Sequence, residues 1–336
     1  MSNVLPTVAD VVAAEARVRG WLVETPVLES DIINRRAGAR VLLKAECLQH
    51  TGSFKIRGAL NRLLQLHAEE RAAGVVAFSS GNHAQAVALA ARWLRMPATI
   101  VMPADAPRVK LDKTRELGAE IVLYDRERED REAIAASLAE RRGAALVPPF
   151  DHADVIAGQG TLALELARVA RDRNVALDAF YAPCSGGGLV SGCALALKSQ
   201  WPSCSVYAVE PRGFEDLAAS LAAGERRTVA GGATTLCDGL RAPTPGAITF
   251  AIARRELAGA LAVDDAQIRD AIAVAAQHLK VVVEPSGAAA LAAVLAEPRP
   301  RGSCVAVVLS GGNIDTDLLA DVLRRQRARA ARGHAK

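Results

Sequence analysis

Two kinds of segment alternate along the chain. Short apolar, largely β-branched runs recur at residues 41–43, 75–78, 99–102, 121–124, 206–209 and 305–309, each of strand length. Between them lie Ala- and Leu-rich stretches long enough for helices, at 84–94, 129–142, 162–171 and 266–279. In the last of these Ile268, Ile272, Ala275 and Leu279 share one face behind Asp264, and Gln267 completes a capping box. Strands apolar on both faces, separated by helices, predict an α/β fold of twisted, parallel-rich sheets covered by helices. Pro148 and Pro149 interrupt the pattern, and the loop at 48–52 opens a new set of units. A small inserted α/β domain is therefore expected at residues 49–151, with 1–48 and 152–330 forming a larger domain.

The length of 336 residues suits two fused lobes. Of these, 51% are hydrophobic but only 4% aromatic, so the core is built mainly from Ala, Val, Leu and Ile. Lys and Arg number 41 against 37 acids, too small an excess for general attraction to nucleic acid or a membrane, and a small substrate is expected. The six cysteines are scattered without C-x-x-C pairs and read as reduced, packed thiols. No apolar segment of signal-peptide or membrane-spanning type is present, which leads to an expected cytoplasmic address. The Arg- and Ala-rich tail, 324–336, reads as a solvated helix end.

Four polar constellations carry the candidate chemistry. Ser185-Gly186-Gly187-Gly188 follows an apolar run and precedes a helical stretch, an order in which backbone amides and a helix dipole converge on an anion; a tight turn with close helix packing accounts for the glycines equally well. Gly158-Gln159-Gly160-Thr161-Leu162-Ala163 matches a dinucleotide fingerprint, but the Pro, Asp and His residues before it exclude a buried strand, and it is read as a helix start. Thr51 to Gly58 is a polar turn running into a helix with Lys55 at the junction, where desolvation favours the neutral, nucleophilic amine. Ser79-Ser80-Gly81-Asn82-His83 follows the run at 75–78 and opens another helix, an arrangement suited to a carboxylate, although by itself an ordinary cap.

In this order and spacing, Ser53 to Ala59, Ser79 to His83, Val155 to Thr161, Ser185 to Gly188 and Ser310-Gly311-Gly312-Asn313 resemble the serine/threonine dehydratase and serine racemase family, across nearly all of residues 20–322. The resemblance implies the tryptophan-synthase-β-like fold (fold type II) and pyridoxal 5'-phosphate as cofactor. It implies that Lys55 holds the cofactor and removes the Cα proton, beside Phe54, while Ser185, Gly186, Gly187, Gly188 and Leu189 cradle the phosphate. Asn82 would bond the ring hydroxyl, Ser310 would face the ring nitrogen and Glu284 would line the ring. Ser79, Ser80, Asn82 and His83 would bind substrate, with Ser80 placed to deliver a proton opposite Lys55. Glu210, the carbonyl of Phe214 and Asp216 match a Mg²⁺ or Ca²⁺ site of oxygen ligands. The implied activity is loss of water and ammonia from L-threonine or L-serine. The alternatives are serine racemisation or dehydration of another β-hydroxy amino acid such as 3-hydroxyaspartate or phenylserine. A homodimer is also implied.

Overall fold

The computed structural model of the chain describes residues 4–333 apart from positions 107, 231, 298 and 301, with side chains described through residue 327 of the last helix. In chain order the strands are β1 (Val27–Leu28), β2 (Arg40–Lys44), β3 (Val75–Phe78), β4 (Ala98–Pro103), β5 (Glu120–Tyr124), β6 (Ala145–Leu146), β7 (Ala179–Pro183), β8 (Ser205–Pro211), β9 (Gly259–Val263) and β10 (Cys304–Val308). They form a six-stranded sheet in the order β1-β2-β10-β7-β8-β9 and a four-stranded sheet in the order β5-β4-β3-β6. Within these sheets β1 and β2 pair antiparallel and the other pairs are parallel. Every residue of β3, β4, β7 and β10 is buried, because helices cover both faces, and this is why their sequences are apolar apart from Thr99 in β4. The result is the expected α/β architecture.

Most expected elements form, several with shifted bounds. The capping box is present: Asp264 Oδ1 accepts from the Ala266 and Gln267 amides at 2.9 Å each, and Gln267 Oε1 accepts from the Asp264 amide at 2.8 Å. β9 is not evident in the sequence because Gly259 to Ala262 are half-buried, with Leu261 the one bulky residue among them and no alternation of burial. The expected helix start at Gly158 needs correction. The helix runs Ala153–Asp172 and begins on His152, whose Nδ1 accepts from the Asp154 amide. Gly158 and Gly160 therefore lie inside it, where they allow close helix packing. A Cβ at 158 would stand 2.6 Å from Arg57 O, and one at 160 would stand 2.5 Å from Gly192 O. All six cysteines are free and buried. Among the described residues no helix is long and apolar enough to cross a membrane.

Parallel pairing aligns the ends of the strands. The loops after β7, β8 and β10 leave one edge of the larger sheet, and Ser79 to Asn82 leaves the corresponding end of β3 in the smaller one. In sheets of this kind ligands bind at that carboxyl edge.

Candidate active site

Lys55 is the first residue of the Lys55–Leu64 helix, and its Nζ donates to the carbonyl of Pro149 at 2.8 Å. Desolvation pulls the ammonium down to about 8, partly opposed by the charge of Glu284, so far more of it is neutral amine near neutral pH than for an exposed lysine. The Phe54 ring lies 5.2 Å from Nζ. The backbone before it is fixed from the larger sheet: the Phe54 amide donates to Ser310 O at 3.1 Å, and Ser53 bridges to Gly311.

The turn after β7 runs into the Gly188–Gln200 helix, with Gly187 as N-cap at φ +93°, a conformation that disfavours any side chain. The Ser191 amide already donates to Gly187 O at 3.0 Å, whereas the amides of Gly186, Gly187, Gly188 and Leu189 have no backbone acceptor among the described residues. A Cβ on Gly186 would overlap the Phe150 ring, and one on Gly187 would stand 2.9 Å from Thr249 Cβ. This is a cup of free amides at a helix N-terminus, the arrangement that takes a phosphate. Ser185 is turned elsewhere; its Oγ accepts from the Ala242 amide at 3.1 Å.

A third group of polar residues connects the sheets. Asn82 Nδ2 donates to Glu284 Oε1 at 2.6 Å, and Asn313 Nδ2 donates to Asn82 Oδ1 at 2.8 Å and to Thr51 O at 2.7 Å. Burial raises the Glu284 carboxyl to about 7, helped by the charge of Asp238, while the Asn82 amide opposes the rise. Ser310 is 4% exposed, and its hydroxyl bonds to none of the described residues. In the turn after β3, Ser79 Oγ accepts from the Gly81 amide at 3.1 Å, and Ser80 is half-buried without a hydrogen-bond partner among the described residues.

His83 points inward. It is 2% exposed, its Nε2 meets the Val147 carbonyl at 2.9 Å, and burial, with the charge of Lys55 adding to it, pulls it down to about 3. It is a neutral ring packed behind the turn. Glu210 and Asp216 lie apart from this group, Glu210 near the end of β8 and Asp216 at the start of the Asp216–Ala223 helix that follows. Glu210 is fully buried and accepts from the Leu217 and Ala218 amides at 2.9 Å each. Both oxygens of Asp216 are buried without a partner, and Phe214, two residues earlier, is buried as well. Among the described residues no cluster of three or more His, Cys, Asp or Glu is arranged to hold a metal.

Several residues at the site gave no sequence signal. Pro149, Phe150, Asp151 and Thr249 reach Lys55 or the glycine cup only through tertiary contacts, and Arg131 stands with its guanidinium 5.7 Å from the ring of Phe78, the residue before Ser79. Pyridoxal phosphate fits what is present: a lysine whose ammonium is destabilised by burial, an anion cup of amides without backbone acceptors, and the polar groups of Asn82, Glu284 and Ser310 on the lysine's side.

Comparison with known proteins agrees with this geometry. The chain is 45% identical over 316 residues to an L-threo-3-hydroxyaspartate ammonia-lyase from Pseudomonas sp., covering 94% of this chain and 98% of the relative. The solved structure of maize serine racemase superposes with TM-score 0.89 at 37% identity, covering 98% of this chain and all of that one. The solved threonine deaminase of T.th. superposes with TM-score 0.86 at 43% identity, covering 92% of this chain and 99% of that one. These structures share the fold type that the motifs imply. Residues 18–311 match the family model described as pyridoxal-phosphate dependent enzyme, and with the lysine and the phosphate cup in place the chain belongs to that family.

Proposed function

We propose that the enzyme is an ammonia-lyase for β-hydroxy amino acids and that its preferred substrate carries a second carboxylate, as L-threo-3-hydroxyaspartate does, with L-serine and L-threonine as poorer substrates. The Pseudomonas relative named for that activity supports the class, but identities of 45% and 43% to proteins named for different substrates do not separate them. Arg131 carries the preference. Its guanidinium lies 5.7 Å from the ring of Phe78, the residue before Ser79, and makes no hydrogen bond or ion pair with any described residue. A planar cation without a partner beside a carboxylate-binding turn is suited to a distal carboxylate.

When bound, pyridoxal phosphate withdraws electrons from Cα of the amino acid. The chain's own residues supply the rest. The Ser80 and Asn82 amides, which donate to no described residue, would hold the α-carboxylate. Lys55, its ammonium destabilised by burial, takes the Cα proton at Nζ, and the β-hydroxyl leaves as water once protonated. Hydrolysis of the resulting enamine then gives the keto acid and ammonia. Ser310 would face the ring nitrogen with a hydroxyl instead of a carboxylate, an environment that would favour elimination over prolonged charge storage. Ser80 supports a second reading, racemisation, because its hydroxyl is unpartnered among the described residues. Glu210, Asp216 and the Phe214 carbonyl would together hold Mg²⁺ or Ca²⁺, a reading supported by the unsatisfied buried oxygens of Asp216.

Keto-acid release should be measured from L-threo-3-hydroxyaspartate, L-serine and L-threonine in wild type and Arg131→Gln. The variant is expected to lose about 10- to 100-fold in kcat/KM on hydroxyaspartate, the range for a charge-assisted bond, and to change much less on the other two. Equal losses on all three, or no hydroxyaspartate activity in wild type, would overturn the substrate preference.

A further inference from the structure

Three consecutive residues tie the lysine to the glycine cup. The carbonyl of Pro149 takes the hydrogen bond of Lys55 Nζ at 2.8 Å. The ring of Phe150 lies flush on Gly186, and its Cα and Cβ stand 3.0 Å from where a Cβ on Gly188 would be. The carboxylate of Asp151 accepts from the amides of Ala247, Ile248 and Thr249, at 2.8, 2.9 and 3.2 Å, at the start of the Ala247–Glu256 helix. Its approach is so close that a Cβ on the N-cap Gly246 would overlap it.

That helix start reaches back to the cup. Thr249 Oγ1 donates to Gly186 O at 2.6 Å, and the Gly246 amide donates to the same oxygen at 3.2 Å. Ser191 Oγ, in the helix that follows the cup, donates to Thr249 O at 3.3 Å. In a trans peptide the C=O of one residue and the N–H of the next point in opposite directions. Holding Gly186 O on Thr249 and Gly246 therefore fixes the direction of the Gly187 N–H, one of the cup amides without a backbone acceptor. The Asp151 carboxylate also occupies the positive end of the Ala247–Glu256 helix, so that end does not compete for the anion.

The geometry points to Asp151 as a positioning residue for the cofactor's phosphate: through Thr249 and Gly246 it fixes the orientation of the Gly186–Gly187 peptide, while Pro149, two residues earlier, holds the lysine. Asp151 bonds to none of the cup's own atoms and acts through the helix. The inference rests on the cofactor assignment and is independent of the substrate.

The test compares pyridoxal 5'-phosphate with pyridoxal, which lacks the phosphate, titrated into cofactor-free wild type, Asp151→Ala and Asp151→Asn and followed by the visible absorbance of the lysine-bound form. Asp151→Ala should bind pyridoxal phosphate about tenfold more weakly, the scale of a lost charged cap, with pyridoxal binding unchanged. Asp151→Asn, which keeps an acceptor for the helix amides, should fall between. A role in stability alone would weaken both ligands alike or lower only the melting temperature, and either result would overturn the inference. If Asp151→Ala fails to fold, Thr249→Val removes the tether while leaving the cap, and it should show the same phosphate-selective loss; unchanged discrimination there would also overturn it. A wild type that gives no visible band with either ligand would defeat the cofactor assignment itself.

Discussion

Ser80 and Lys55 have separable tasks in the proposed chemistry. Removal of the Cα proton needs Lys55, whereas Ser80 is needed only if a proton is returned to the opposite face. The Ser80 hydroxyl is half-buried and unpartnered, so replacing it breaks no described hydrogen bond. Ser80→Ala should therefore reduce formation of D-serine from L-serine much more than formation of pyruvate, about 100-fold against a few-fold, as expected for loss of a general acid. Chiral chromatography together with a keto-acid assay on the same samples would show it. An equal fall in both products would mean that Ser80 binds substrate, and mainly D-serine from wild type would make the enzyme a racemase. Lys55, Asn82 and the glycines were readable from sequence because each sits in a local motif whose order is itself the signal. His83 belongs to such a motif too, yet its ring turns to Val147, since a helix start fixes where a side chain begins and tertiary packing decides where it ends. Asp151 and Arg131 had no motif to mark them, and only the fold brings them to the site.

Among the elements, β8 and the Asp216–Ala223 helix after it bring together two buried acids, one of them without partners. Glu210, near the end of the strand, spends both oxygens on the Leu217 and Ala218 amides, while Asp216 has neither of its oxygens satisfied. Burial raises both carboxyls above the usual carboxylate range, and the charge of Asp216 raises Glu210 further. Two buried acids with one set of partners are costly, and a divalent cation bound only by the folded state would stabilise it by mass action. Added Mg²⁺ or Ca²⁺ should raise the thermal midpoint of wild type by several degrees at saturation. Asp216→Asn should lose that increment while unfolding no earlier than cation-free wild type. Wild type indifferent to both cations would show that the acids simply share a proton. The same region marks the limit of pattern reading. The apolar core of β8 was evident, but β9 beside it was not, because Gly259 to Val263 lies at the edge of the sheet, is half-buried up to Val263 and carries only one β-branched residue.

Across the whole molecule, the lysine's helix is anchored to the turn after β2 and to the Ala153–Asp172 helix by charges removed from water. Arg57, two residues after Lys55 and fully buried, places Nε and Nη2 on Glu46 at 2.7 and 2.8 Å, and Nη1 and Nη2 on Glu165 at 2.7 and 2.9 Å. Lys44 at the end of β2 completes the group, bonding Glu165 Oε2 and Thr25 O at 2.6 Å each. The charges balance, two cations against two carboxylates, and nearly every polar atom has a partner, so the group is tolerable although buried. Its value lies in geometry, because the fork of Arg57 fixes the first turn of the helix that presents Lys55. Removing one cation leaves a net buried negative charge, whereas removing a cation and an anion together leaves the Lys44–Glu165 pair balanced. Arg57→Met alone should therefore cost about 3 to 5 kcal/mol, read as a lowered urea midpoint, and Arg57→Met with Glu46→Gln should recover much of it. The double variant should still react more slowly with pyridoxal phosphate than wild type, since charge balance is restored but the fork that seats Lys55 is not. A single variant no less stable than the double would show that the buried charge is compensated elsewhere, and a double variant that captures cofactor at the wild-type rate would show that the lysine is seated without Arg57.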